Sequence, residues 1–198
     1  TLYTPGSSTG VPINLVGSLQ APAEGTDQET LHDEIEGFVS GLLSLAGLEA
    51  DPLTSPEHIL LTNLIADAWA NGRSLDLAGL IGAVQSPPLR KLGVLELDSF
   101  FPPKERMGLA LRLNGLLASP SFQAWSLGAP IDFDAMLQTP EGGPRAAVIG
   151  LSHLADAERQ FVVTLLLSKL VTWMRRQSGT TSLRALVYMD EVFGYVPP

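Results

Sequence analysis

The sequence predicts a helix-rich α/β fold, in which a parallel sheet is left incomplete and a large helical module is set into it. Three observations carry this expectation. Residues 145–191 read as strand, long helix, strand. Residues 1–16 read as a short strand, a Gly/Ser turn and an extended segment. Between them lies a long run with apolar residues at helical spacing. The expected division is a strand and turn segment at 1–20, a helical insertion at 21–140 and a βαβ unit at 141–198.

The elements follow in order. In "TLYTPGSSTGVPINLV" (1–16), Pro5, Gly6, Gly10 and Pro12 break any helical pattern. Thr26 and Glu29 have capping-box spacing, so a helix follows, with Leu31, Ile35, Phe38, Val39, Leu42, Leu43 and Leu45 as its apolar face. Ser55 and Pro56 open a second helix that Gly72 ends. Ser74 opens a third, running to about Val84. After a connector, Pro102 and Pro103 precede a fourth, "KERMGLALRLNGLLAS". Short turns start at Ser119-Pro120 and at Asp132. A strand is expected from Arg145 to Leu151. The helix that follows is acidic at its start and carries Arg175 and Arg176 in its last turn, as the helix dipole favours. Its stretch "FVVTLLLSKLVTWM" (161–174) reads as a buried helix, too short for a membrane span and interrupted by Lys169. "LRALVYMDE" is expected as a second strand, parallel to the first and reached by a right-handed crossover.

Composition narrows the function classes. Hydrophobic residues make up 45% of the 198, enough for a real core. There is no cysteine, so disulfides and thiolate metal sites are excluded, and a cytoplasmic setting fits. The opening residues do not read as a signal peptide, and the start on a strand without Met suggests a segment of a longer chain. The net charge of −9 is uneven. Residues 1–99 hold 13 acids against 3 bases, and residues 100–198 hold 8 against 9. From Glu24 to Asp67 there are 10 acids and no Lys or Arg. Such a lobe repels phosphate backbones, so any nucleic-acid contact lies elsewhere.

The chemical candidates centre on Asp190 and Glu191. They end an apolar run at what would be the carboxyl edge of a parallel sheet, where α/β folds place ligands. Neighbouring strand residues point to opposite sides, so the two acids take different roles. One can hold a hydrated Mg²⁺ and the other can orient water. A solvated strand end is the plain alternative.

The segments "AAVIGLSHLADAERQFVVTLLLSKLVTWMRRQSGTTSLRALVYMDE" and "LVYMDEVFGYVPP" resemble the crossover helix, Walker B strand and aromatic-proline segment of HerA/FtsK-type P-loop ATPases, including HerA-like, helicase-annotated proteins. "YTPGSSTGVPINL" resembles the part that follows the Walker A helix in that family. The resemblance implies an incomplete RecA-like sheet with a family-specific helical insertion. It implies Asp190 on the Mg²⁺ side of Mg-ATP and Glu191 as the catalytic glutamate. It also implies a DNA-translocating, helicase-like parent that assembles as a homo-oligomer, is not membrane-bound and meets DNA mostly outside the acidic lobe. A Gly-x-x-x-x-Gly-Lys-Ser/Thr loop is absent: Lys91, Lys104 and Lys169 are the only lysines and none follows a glycine. "GSSTG" (6–10) is the nearest substitute and reads as an ordinary turn. The fragment alone is therefore expected to be inactive.

The remaining candidates are plain. His32 and Glu36 share a helix face as a surface pair, and His58 and His153 stand apart. Trp69, Trp125 and Trp173 suit packing between helices. Arg175, Arg176 and Arg184 suit a helix end, with a phosphate contact as the alternative. No Gly-x-Ser-x-Gly elbow exists. The competing function is an acidic helical interaction or regulatory domain without catalysis.

Overall fold

The computed structural model describes residues 1–15, 19–21 and 26–190. The strands are short: β1 (Leu2–Tyr3), β2 (Ile13–Asn14), β3 (Lys91–Leu92), β4 (Leu95–Glu96), β5 (Ala129–Pro130) and β6 (Val148–Ile149). The helices are α1 (Gln28–Leu45), α2 (Pro56–Ala70), α3 (Leu77–Gln85), α4 (Leu97–Phe100), α5 (Pro103–Ala118), α6 (Pro120–Gln123), α7 (Phe133–Leu137) and α8 (Asp156–Arg175). The chain is thus helix-rich with small sheets. β1 pairs with β6 in parallel and β2 with β5 in parallel, while β3 and β4 form an antiparallel hairpin. Among the described residues, no helix is long and apolar enough to cross a membrane.

Local chemistry moves several boundaries. The cap of α1 is Asp27, whose carboxylate accepts from the Thr30 N–H, one residue beyond the expected Thr26. Asp76 caps α3 in the same way, and Ser74 Oγ instead accepts from Ala21 N–H. An Asp carboxylate facing backbone N–H groups suits the positive end of a helix. The strand expected over 145–151 shrinks to Val148–Ile149. Over 184–190, where a second strand was expected, no strand is present among the described residues, and Leu186 and Tyr188 are exposed. A parallel strand needs a neighbour's ladder, and here that segment has none.

One continuous apolar core joins α1, α2, α3, α5 and α8. α1 is its centre, with α2 on one side and α8 on the other. The antiparallel α1–α8 contact is close because Gly37 and Gly41 face α8. A Cβ on Gly41 would lie 2.4 Å from the Phe161 ring, whereas one on Gly37 would meet Ser168 Oγ, a rotatable hydroxyl, at 3.2 Å and Thr164 Cγ2 at 3.8 Å. Phe161 then touches Phe38 edge-on, with centroids 6.0 Å apart, and Trp125 at 5.8 Å.

Between α1 and α2, His58 is fully buried. Its Nε2 lies 2.9 Å from Ser40 Oγ and its Nδ1 lies 3.3 Å from Thr62 Oγ1. Burial holds the imidazole below its ordinary pKa, against the opposing pull of Glu36 and Asp51; His32 adds a small push in the same direction as burial.

Two outcomes are expected. Gly41→Ala should lose about 1–3 kcal/mol from overpacking against Phe161, even after the roughly 1 kcal/mol that Ala gains over Gly in a helix. Gly37→Ala should be near neutral. Thermal denaturation separates them, and equal melting temperatures would refute the close contact. For His58, the unfolded chain takes up the proton at a higher pH than the folded one. The stability of the neutral ring is therefore complete above about pH 6.5 and is lost as pH falls below that through the folded value. A melting-temperature profile from neutral to mildly acidic pH should show this decline, and His58→Gln should flatten it.

Candidate functional site

β1 and β6 run in parallel, so their carboxyl ends lie together. The loops that leave them, 4–10 and 150–155, meet there: His153 Nε2 lies 2.7 Å from the Pro5 carbonyl. The first loop is closed on itself. Buried Thr4 places Oγ1 to accept from Gly10 N–H at 2.9 Å and to donate to the Ser7 carbonyl at 3.2 Å. Ser7 N–H binds the Thr4 carbonyl, Thr9 N–H binds Ser7 Oγ, and Val11 N–H binds the Leu2 carbonyl. Gly6, at φ +69°, sits so tightly on Trp125 that a Cβ would be 2.6 Å from Nε1. A phosphate cradle needs free N–H groups pointing at one place. Those of Ser7, Thr9, Gly10 and Val11 are already taken, so "GSSTG" is an ordinary turn that supports the tryptophan.

Asp190 is exposed, and its Oδ1 accepts from the Tyr188 hydroxyl at 3.3 Å. Glu191 lies outside the described residues. The other sequence candidates fall where structural roles would put them. His32 and Glu36 form an exposed pair at 3.3 Å. Arg175 reaches Thr30 Oγ1 at 2.5 Å on α1, and Arg184 binds the Ser178 carbonyl at 2.7 Å, so these two arginines serve a helix end and a turn. Trp69, Trp125 and Trp173 are all buried. The indole of Trp69 donates to the Leu19 carbonyl and that of Trp173 to Asp134. Among the described residues, no cluster of three His, Asp or Glu side chains could hold a metal.

Sequence reasoning missed a buried charge cluster between α1 and α8. Glu34 is buried between α1 and α8. Lys169 Nζ donates to its Oε1 at 2.6 Å, and Thr172 Oγ1 donates to its Oε2 at 3.1 Å. Both carboxylate oxygens are thereby satisfied, as burial demands. The signal was Lys169 itself, a lone cation in the most apolar stretch of the chain. A groove of about 250 Å³ opens beside the cluster, between Thr30 and Asp33 on one wall and Val171 and Arg175 on the other. Fully paired and neutral overall, the cluster is equipped to hold two helices together rather than to move a proton.

No family model, curated protein or solved structure matches the chain.

Lys169→Met should destabilise by about 2–3 kcal/mol, somewhat less than the roughly 3–5 kcal/mol typical of a fully buried broken pair, because Lys169 keeps partial access to water. Adding Glu34→Leu should restore most of the loss. Denaturant titration of both singles and the double gives the coupling, and purely additive losses would show that the two charges act independently.

Proposed function

We propose that this chain is part of a P-loop ATPase motor of the HerA/FtsK type. The observation that carries the reading is topological. β1 and β6 are parallel neighbours although almost the whole helical module separates them, and β6 leads through the 20-residue α8 into an apolar run that ends on Asp190. Strand, crossover helix and apolar run ending in acid is the order that such an ATPase core requires. In this reading, the finer fold is an incomplete RecA-like sheet with a helical insertion. Asp190 is the carboxylate on the Mg²⁺ side of Mg-ATP, and Glu191 is the residue that polarises the attacking water. The intact motor couples ATP hydrolysis to movement along DNA as a ring of identical subunits.

The described residues do not hold a triphosphate by themselves. They offer the Asp190 carboxylate, and the Gly/Ser loop at the carboxyl edge uses the N–H groups of Ser7, Thr9 and Gly10 internally. The reading therefore requires a Gly-Lys-Ser/Thr loop from another segment of the protein. DNA contacts belong away from the acidic surface of α1 and α2.

A second reading has its own support. The helices of 28–137 share a large apolar core, and the acids from Glu24 to Asp67 stand without Lys or Arg among them. That suits an interaction or regulatory module for a basic partner.

The test compares the isolated chain with the longest protein that contains it. The isolated chain should show no Mg-ATP binding by calorimetry. The longer protein should hydrolyse ATP, and Glu191→Gln should keep nucleotide while lowering turnover by at least a hundredfold, the scale on which general-base groups act. Unchanged turnover removes Glu191 from the mechanism, and absence of ATPase activity together with absence of a Gly-Lys-Ser/Thr loop removes the motor reading. Salt-sensitive capture of a defined basic protein, indifferent to Glu191, would favour the second reading.

A further inference from the structure

α5 packs one side against α3 and the core, through Leu109, Ala110 and Leu113. Its outer side is apolar as well. Leu111 is 63% exposed and Met107 45%, and neither joins the core. Gly108 and Gly115 lie on the same side, three and four residues from Leu111. A glycine weakens a helix interior. A Cβ on either of these two would meet nothing within 4 Å, so no described residue requires their small size.

Charges flank this face. Glu105 and Arg112 are both exposed, and neither forms an ion pair among the described residues. Seven residues apart, they stand on nearly the same side of the helix, about 10 Å from each other along its axis. Lys104 stands in the first turn, where the helix dipole disfavours a cation.

We propose that this face is the contact between two copies of the chain, which cross α5 on α5, antiparallel, about a two-fold axis beside Gly108. The charges fix the axis. A two-fold midway between positions 105 and 112 sets Glu105 of each copy level with Arg112 of the other. One face thus supplies both members of two ion pairs. The midpoint falls beside Gly108, where the missing side chain lets the two backbones approach. Leu111 and Met107 of the two copies then cover one another around the crossing. Lys104 comes to lie toward the carboxyl half of the second α5, where the dipole favours it.

This self-complementarity selects a second copy over an unrelated partner. The contact is isologous and closes at two copies. It therefore differs from the head-to-tail contact from which a ring is built. It requires neither nucleotide nor either functional reading.

Sedimentation velocity of the 198-residue chain without nucleotide tests the proposal. One helix face makes a weak pair rather than an obligate one, so dimer should grow in across roughly 5–500 µM. Glu105→Arg and Arg112→Glu should each weaken dimerisation at least tenfold, because each replaces two attractions by two repulsions. Mixed in equal amounts, these two variants should form a heterodimer about as tight as the wild-type dimer, since each copy carries the charges that the other lacks. The double variant, Glu105→Arg with Arg112→Glu, should dimerise like the wild type. Gly108→Leu should also weaken dimerisation at least tenfold. It should not lower the melting temperature of the dilute monomer, since the site is open. A wild-type chain that stays monomeric over the whole range would overturn the proposal. So would single charge variants that dimerise like the wild type, a mixture of the two that stays monomeric, or a Gly108→Leu dimer as tight as the wild-type one.

Discussion

The approach of α8 to α1 is the contact on which the other packing depends. Gly41 on α1 lets a large ring sit where a side chain would otherwise stand. Phe161 occupies that space and completes a row of rings from Phe38 to Trp125. Trp125 in turn lies under Gly6, and its backbone carbonyl accepts from Leu15 N–H. The opening strands are therefore tied to the helices in part through Trp125, which stacks on Phe122 at 5.5 Å and lies 5.8 Å from Phe161. Interiors are packed as densely as organic crystals, so a shift of one methyl group at Gly41 would be felt along this row.

Polar groups fix what the apolar ones only bring near. α1 carries Glu34 toward α8 and Ser40 toward the His58 of α2. An apolar helix face can slide by a turn at modest cost, whereas a buried carboxylate without its ammonium cannot. Glu34 with Lys169 and Thr172 thus sets the alignment of α8 along α1. His58, between two hydroxyls, does the same for α2 in its neutral form. Both groups spend their bonds on neighbouring helices, Glu34 on Lys169 and Thr172 and His58 on Ser40 and Thr62, as alignment requires.

Much of the helical architecture was legible because its signals are local. Ser55-Pro56, Gly72, Asp132 and the apolar spacing of α1 each report on residues a turn away. The cap of α1 was misplaced by one residue because Thr26 and Asp27 are both good caps, and only the geometry of Thr30 decides between them. The strands were less legible, since an apolar run states that a segment can pair but not that an edge is there to receive it. β6 found β1 across nearly the whole chain, while 184–190 found nothing. The burial of α8 was read correctly for one face and wrongly for the other, because hydrophobicity alone cannot say how many sides of a helix have neighbours. Glu34 was invisible for a related reason: one acid among ten looks like surface until its partner, far away in sequence, is seen opposite.

The meaning of the paired acids follows from the same distinction between composition and placement. A carboxylate on an unpaired segment can be solvated from every side, and the hydrogen bond from Tyr188 to Asp190 is a local contact within that segment. Such an Asp has no fixed direction and so cannot hold a metal against a phosphate. A strand held on both its backbone edge and its side-chain face would turn Asp190 to one side of the sheet and the following residue to the other. The chemistry in question thus depends less on the acids than on what pairs with Ala185 to Met189. Among the described residues, 184–190 joins no ladder, and Leu186 and Tyr188 stand exposed. Whether the two acids mark a site or only a solvated chain end is therefore decided by whether a neighbouring strand takes up residues 184–190.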